Sequence, residues 1–286
     1  MQKHLYKTSF LSLLIFVCLS HYNIFASAVQ NNMYQLSSKK YSAKKWVKNG
    51  QSHYNRSKFE LAVKAFNKAV ACYPQNFDAW DGMGNALYCL GDYDKAIQAY
   101  DKALNINPGH TATWINKGIT LFKKGRYEEA LTLYDKAVAL EPNLSSAWYN
   151  KGVTLIALKR YSDAFLAFEK AIEINPQDEL AWHGKGYILI LHEDYDGALL
   201  LFTQAAKTNP DKAWAWNNMG ITLGRLNMFD EAIKAFDKAI EINPQNARAW
   251  HNKANILYSM GKYEESIKIY NKARGLDPLL YANAQK

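Results

Sequence analysis

The sequence predicts an all-α fold, an α-solenoid of seven 34-residue helix-turn-helix repeats. Three observations carry that prediction. Trp46, Trp80, Trp114, Trp148, Trp182, Trp216 and Trp250 stand 34 residues apart, and so do Pro74, Pro108, Pro142, Pro176, Pro210, Pro244 and Pro278, which are all the prolines of the chain. Within each half-period apolar residues recur at three- and four-residue steps, as in Trp148, Leu155 and Leu158 followed by Tyr161, Ala164, Phe168 and Ala171, which is the pattern of two amphipathic helices. Gly91, Gly125 and Gly261 fall between the halves, where a helix end takes a left-handed residue, and each proline stops the second helix from running on.

Along the chain, residues 1–28 are expected as a secretory signal peptide. Lys3 and Lys7 give a basic start, Phe10 to Leu19 is an apolar run interrupted only by Ser12, and Ala26-Ser27-Ala28 supplies small residues for cleavage. A membrane anchor would need about 20 apolar residues, and Ser20, His21, Tyr22 and Asn23 end this run early. Cys18 follows Val17 and Phe16, not a small residue, so lipid modification there is not expected. Export to the periplasm, cell surface or medium follows as the expectation. Residues 29–42 are expected as a basic polar linker. Between 29 and 58 there are seven cations (Lys39, Lys40, Lys44, Lys45, Lys48, Arg56 and Lys58) and no acid, which accounts for the whole positive surplus beyond the signal. Such an arm is not the basic stripe of a nucleic-acid-binding surface. It reads as a solvated leader, with contact to anionic lipid or polymer as the alternative.

With tryptophan at position 4, the units occupy 43–76, 77–110, 111–144, 145–178, 179–212, 213–246 and 247–280, leaving a short tail at 281–286. Position 8 is glycine from Gly50 to Gly220 and then Ala254; position 20 is alanine from Ala62 to Ala232 and then Ser266; position 24 is Phe or Tyr and position 27 alanine throughout. A glycine inside a helix costs about 1 kcal/mol against alanine, so its use at position 8 implies a close approach, expected here against the alanine at position 20. Asn76, Asp178 and Asn246 are candidate N-caps for the following helices. Position 7 carries Lys117, Lys151, Lys185 and Lys253, whose stems are expected to lie on the hairpin with the ammonium in water. Cys72 ends one helix while Cys89 falls well along the next, roughly 16 Å on. A disulfide needs α-carbons within about 7 Å, so two free thiols are expected.

This set of positions resembles the tetratricopeptide repeat family, over residues 43 to 280. The resemblance implies a right-handed superhelix whose first helices line a concave face, with ligands touching positions 2, 5, 6, 9, 12 and 13. Carried over unit by unit, those positions give a peptide-binding groove of Ile115, Asn116, Ile119 and Phe122, then Tyr149, Asn150, Val153 and Ile156, then Leu180, His183, Tyr187 and Ile190, and finally Trp214, Asn217, Asn218, Ile221 and Arg225. Trp214, the tryptophan outside the 34-residue series, falls at position 2. Accessible apolar patches of this kind mark contact sites, so the expected partner is a protein or peptide. The position-6 amides of Asn116, Asn150, Asn218 and Asn252 could pair with an extended backbone or bond neighbouring helices, and both readings stay open. The family's clamp for a terminal carboxylate needs lysine at position 5 and asparagine at position 9 of one unit; none of the seven pairs, from Val47/Gln51 to His251/Asn255, has it. In the last unit Arg274 and Ser266 replace apolar or small residues, and Ile267, Leu279 and Leu280 are expected to stay partly open, which suggests weak self-association.

No catalytic residues, cofactor or metal are expected. His183, His192 and His251 are dispersed, no HExxH occurs, and the acids of GDYDKA at Gly91 and HEDYDG at His192 belong to turns between helices, without the other ligands of a calcium loop. The function that follows is an exported, non-catalytic scaffold or adaptor that binds a protein or peptide on its concave groove, as an assembly factor of the cell envelope would. The alternatives are a glycan- or wall-binding solenoid, and a membrane-tethered structural scaffold with the signal uncleaved.

Overall fold

The computed structural model describes residue 30 and residues 32–277; the expected signal segment and the C-terminal tail lie outside them. Helix α1 covers 32–55. It is followed by α2 (Phe59–Cys72), α3 (Phe77–Cys89), α4 (Tyr93–Ile106), α5 (Thr111–Lys123), α6 (Tyr127–Leu140), α7 (Ser145–Ala157), α8 (Tyr161–Ile174), α9 (Glu179–Leu191), α10 (Tyr195–Thr208), α11 (Ala213–Arg225), α12 (Phe229–Ile242), α13 (Ala247–Ser259) and α14 (Tyr263–Leu276). The helices form successive hairpins, and no strand occurs among the described residues. The chain divides into two units, residues 1–124 and 125–286. In the first, α3 packs on α2 and α4, and α5 on α4; in the second, each helix from α7 to α13 packs on the helix before and the helix after it. First helices also touch across hairpins, α3 with α5, α7 with α9 and α11 with α13.

The glycine at position 8 meets the ring at position 24, not primarily the alanine at position 20. A Cβ on Gly84 would lie 2.5 Å from Tyr100 Cε1, and one on Gly152 would lie 2.7 Å from Phe168 Cε1. The ring therefore fills the space that a side chain would take. Phe66, Tyr100, Phe168 and Phe236 are in consequence almost wholly buried, each contributing roughly 1.5–3 kcal/mol by removal from water.

The tryptophan and proline series share one cause. Trp80, Trp114, Trp148, Trp182, Trp216 and Trp250 each donate the indole Nε1–H to the carbonyl six residues earlier, that of Pro74, Pro108, Pro142, Pro176, Pro210 and Pro244, at 2.8 to 3.1 Å. Proline ends one hairpin and its carbonyl, left without a helical donor, is closed by the next hairpin's tryptophan.

The lysines at position 7 differ from expectation. Their ammonium groups do not point into water but pair with the carboxylate at position 25 of the preceding unit: Lys117 with Asp101 at 2.6 Å, Lys151 with Asp135 at 2.8 Å, Lys185 with Glu169 at 2.6 Å and Lys253 with Asp237 at 2.7 Å. Where position 7 is Met219, position 25 is Thr203, whose hydroxyl faces the sulfur at 3.7 Å. These pairs link neighbouring hairpins side chain to side chain.

Each turn inside a hairpin holds one residue at positive φ. Gly91, Gly125 and Gly261 fill it as expected, but Ser57, Lys159, Glu193 and Asn227 occupy the same position at φ between 55° and 60°. Asn76, Asp178 and Asn246 accept from the backbone N–H of Ala79, Ala181 and Ala249, and the turn acids Asp92 and Asp194 cap their helices likewise. Cys72 and Cys89 are free thiols. Residues 32–42, expected as a linker, continue the helix of α1 and are exposed from 32 to 41. No helix among the described residues is long and apolar enough to cross a membrane.

Candidate functional site

The residues expected to line the groove sit on first helices, and the two units present them differently. In the first unit, α5 buries Ile115 and leaves Asn116, Ile119 and Phe122 half-buried. The polar groups there satisfy one another. Asn85 Oδ1 accepts from the Tyr100 hydroxyl at 2.8 Å and from Asn116 Nδ2 at 3.0 Å. Asn85 Nδ2 donates to Asp81, which also accepts from the Thr113 hydroxyl at 2.6 Å. Burial, reinforced by Asp81, pushes the Tyr100 phenol far above its ordinary range, so it stays a neutral donor. Burial and a contact with the Cys89 thiol raise Tyr54 to about 12. What remains open in this unit is a cavity of about 270 Å³ beside Tyr54, Asn116 and Ile119.

In the second unit, Tyr149, Asn150, Val153 and Ile156 on α7 are half-buried. The Tyr149 ring packs on Phe168 with centroids 5.9 Å apart, and Asn150 donates to Ser146 O of its own helix. On α9, Leu180 and Tyr187 are 57% and 51% exposed, large apolar surfaces with no packing role to explain them; His183 and Ile190 are half-buried. On α11, Trp214, Asn217, Asn218 and Ile221 are half-buried and Arg225 is exposed.

The structure brings His183, Trp214, Asn217, Asn218 and Ile221 together around a cavity of about 660 Å³, closed on its far side by Arg248, His251 and Asn252 of α13 and Tyr270 of α14. The His183 and Trp214 rings lie with centroids 5.1 Å apart and their planes tilted by 40°. The Asn218 amide nitrogen sits 3.2 Å from His183 Nδ1, and Asn252 Nδ2 donates to Asn217 Oδ1 at 3.0 Å. The position-6 amides of Asn116, Asn218 and Asn252 thus reach the preceding first helix, while Asn150 turns back on its own. Burial and then the Arg248 charge hold His183 below the usual imidazole range, and burial does the same for His251. Both rings are neutral at pH 7. Burial raises the Glu179 carboxyl at the rim.

Several groups in this cavity are left over. Among the described residues the Trp214 indole N–H donates to no carbonyl, unlike six of the seven tryptophans of the series, and neither the Asn217 amide N–H nor the Arg248 guanidinium has a hydrogen-bond or ion-pair partner there. The arrangement offers an aromatic wall, neutral imidazoles and several donors, which suits binding; no group of three metal-ligating side chains converges among the described residues. Glu179, Asn246 and Tyr270 line the cavity without having been expected. Tyr270 was readable in principle, because position 24 faces the first helices in every unit.

Stacked helical hairpins with a recurring inner face define a class: all-α repeat scaffolds for protein–protein interaction, generally non-catalytic. Four family profiles, each described as tetratricopeptide repeat, match residues 77–140, 115–179, 213–246 and 235–268. The chain belongs to the tetratricopeptide repeat family. Among solved structures, a tetratricopeptide repeat protein from Parabacteroides merdae matches with a TM-score of 0.61 at 18% identity, over 82% of this chain and 93% of that one. YrrB, described as a TPR protein with an unusual peptide-binding site, matches at 0.51 and 27% identity, over 67% and 98%. MamA from Desulfovibrio magneticus RS-1 matches at 0.50 and 21% identity, over 59% and 95%. No curated protein gives a significant sequence match.

Proposed function

We propose that this protein is exported and acts without catalysis as an adaptor or assembly factor of the cell envelope, holding an extended segment of a partner protein on its first-helix face. The observation that carries the reading is the α9–α11–α13 cavity. Its volume, about 660 Å³, lies within the range of ligand pockets, and it combines an unbonded indole with unpaired donors. An extended peptide offers a carbonyl and an N–H at every residue, which matches the Asn217 amide N–H and the Asn252 carbonyl oxygen. Leu180 and Tyr187, exposed on the helix that brings Glu179 and His183 to the cavity, provide apolar surface for its side chains. The peptide-binding site ascribed to YrrB supports the same use of the fold. Export rests on the first 28 residues, and mass spectrometry of the exported chain should find an N-terminus near residue 29; an intact Met1 would favour the tethered scaffold instead.

Peptides selected from a random display library on the full chain test the groove. Tyr187→Ser and Leu180→Ser should each weaken the selected peptide several-fold, while Leu200→Ser, an exposed leucine on the second helix α10, should leave it unchanged. Equal affinity for all variants would remove the reading. Enrichment of no peptide, together with binding to purified wall polysaccharide, would replace it with a glycan site, since an aromatic wall flanked by amides also suits a sugar ring. Weak self-association through α14 belongs to the same proposal, because Ile267 is exposed there; a molecular mass that stays monomeric with rising concentration would remove it.

A further inference from the structure

Helix α1 has two faces of opposite character. Ala43 and Gly50 are buried, and Trp46, Val47 and Tyr54 pack on the core formed by Ala62, Phe66 and their neighbours. Lys40 lies over the Tyr73 ring at 5.3 Å and Lys68 over the Trp46 ring at 4.3 Å, so this side is fixed to the first hairpin. At 100° per residue, Tyr34, Tyr41 and Lys48 fall at seven-residue steps on the opposite side, flanked by Lys44 and Lys45. All five are exposed, the two tyrosines by 76% and 77%.

These lysines differ from those of the repeats. Lys117, Lys151, Lys185 and Lys253 are each paired with a carboxylate, whereas Lys44, Lys45 and Lys48 have no ion-pair partner among the described residues, and residues 29–58 contain no acid at all. A solvated leader has no use for tyrosine rings aligned with its lysines. Aligned amphipathic rings and ammonium groups are what a lipid headgroup layer accommodates, the rings at headgroup depth and the cations against anionic phosphate. Seven residues of helix place the two rings about 10 Å apart along the axis, so both can enter one plane while the opposite face keeps its grip on the repeats.

We propose that the outer face of α1, formed by Tyr34, Tyr41, Lys44, Lys45 and Lys48, docks this protein onto an anionic lipid surface. The helix then fixes the first hairpin beside the membrane and leaves the inner faces of the repeats for a partner. The proposal does not depend on what that partner is.

The test is sedimentation of the purified full chain with vesicles of pure phosphatidylcholine and with vesicles containing about 30% phosphatidylglycerol. The apolar run at 10–19 would bind both kinds alike, and Lys3 and Lys7 add the same anionic preference to every variant, so the helix is read from the part of the excess on anionic vesicles that its substitutions remove. That excess should fall by roughly ten- to a hundredfold in the triple variant Lys44→Ser, Lys45→Ser, Lys48→Ser, disappear in high salt, and fall several-fold in the pair Tyr34→Ser, Tyr41→Ser, with helicity unchanged in both. No excess on anionic vesicles, or an excess that survives the triple substitution, would overturn the proposal. An excess indifferent to the tyrosines and fully competed by soluble polyphosphate would also overturn it, because the face would then be a polyanion site and not a membrane one.

Discussion

The inner face around α3 and α5 and the inner face around α9, α11 and α13 are built from the same repeat positions, yet they end differently. In the first, Asp81, Asn85, Tyr100, Thr113 and Asn116 bond one another and leave about 270 Å³. In the second, the amides bond in single links, Asn218 to His183 and Asn252 to Asn217, and leave about 660 Å³ with an indole N–H and a guanidinium unanswered. A closed polar network contributes stability, and an open one leaves donors for the binding we propose. The difference teaches that a repeat position does not carry a function; the neighbours that satisfy it or leave it open decide.

The comparison can be broken from either side. Asn85→Ala removes the acceptor of a buried tyrosine hydroxyl and of the Asn116 amide, and should cost about 2 kcal/mol in urea unfolding while leaving peptide capture unchanged. Trp214→Ala should do the reverse, weakening capture about tenfold, or roughly 1.4 kcal/mol, with a smaller change in stability. Acidification sharpens the contrast further. His183 is held neutral in the folded chain, its pKa below the ordinary 6.5, so the stability it contributes is present above pH 6.5 and is lost as pH falls from there toward the folded value. The melting temperature should decline below pH 6.5, and less steeply in His183→Gln; Glu179, raised by burial, acts with the opposite sign nearer its ordinary 4.5. The smallest expected effect lies in the turns. Gly91 and Glu193 occupy the same repeat position at φ of 78° and 59°, and Glu193→Gly should raise stability by about 0.5–1 kcal/mol in thermal melts, because only glycine adopts that backbone without strain.

The hairpins were legible because their signals are local. Trp148 and Pro142 are six residues apart, Asn76 caps a helix three residues on, and periodicity marks each buried face. Where a signal crosses between hairpins, the sequence conceals it. Lys185 finds Glu169 sixteen residues back, which needs the packing register and not the period alone. Lys159 and Glu193 take a left-handed turn that their own preferences argue against, and only the identity of the turn with that at Gly91 reveals it. For the site, the repeat positions on the face were readable, but whether Asn218 bonds His183 or faces a ligand depends on a reach of 35 residues.

The most direct test labels the indole nitrogens and follows them by NMR as a selected peptide is added. Six tryptophans are tied to proline carbonyls, and Trp214 is not, so the account predicts that the Trp214 Nε1–H signal moves on binding while those six stay in place. Movement of the tied indoles with Trp214 unmoved would contradict it.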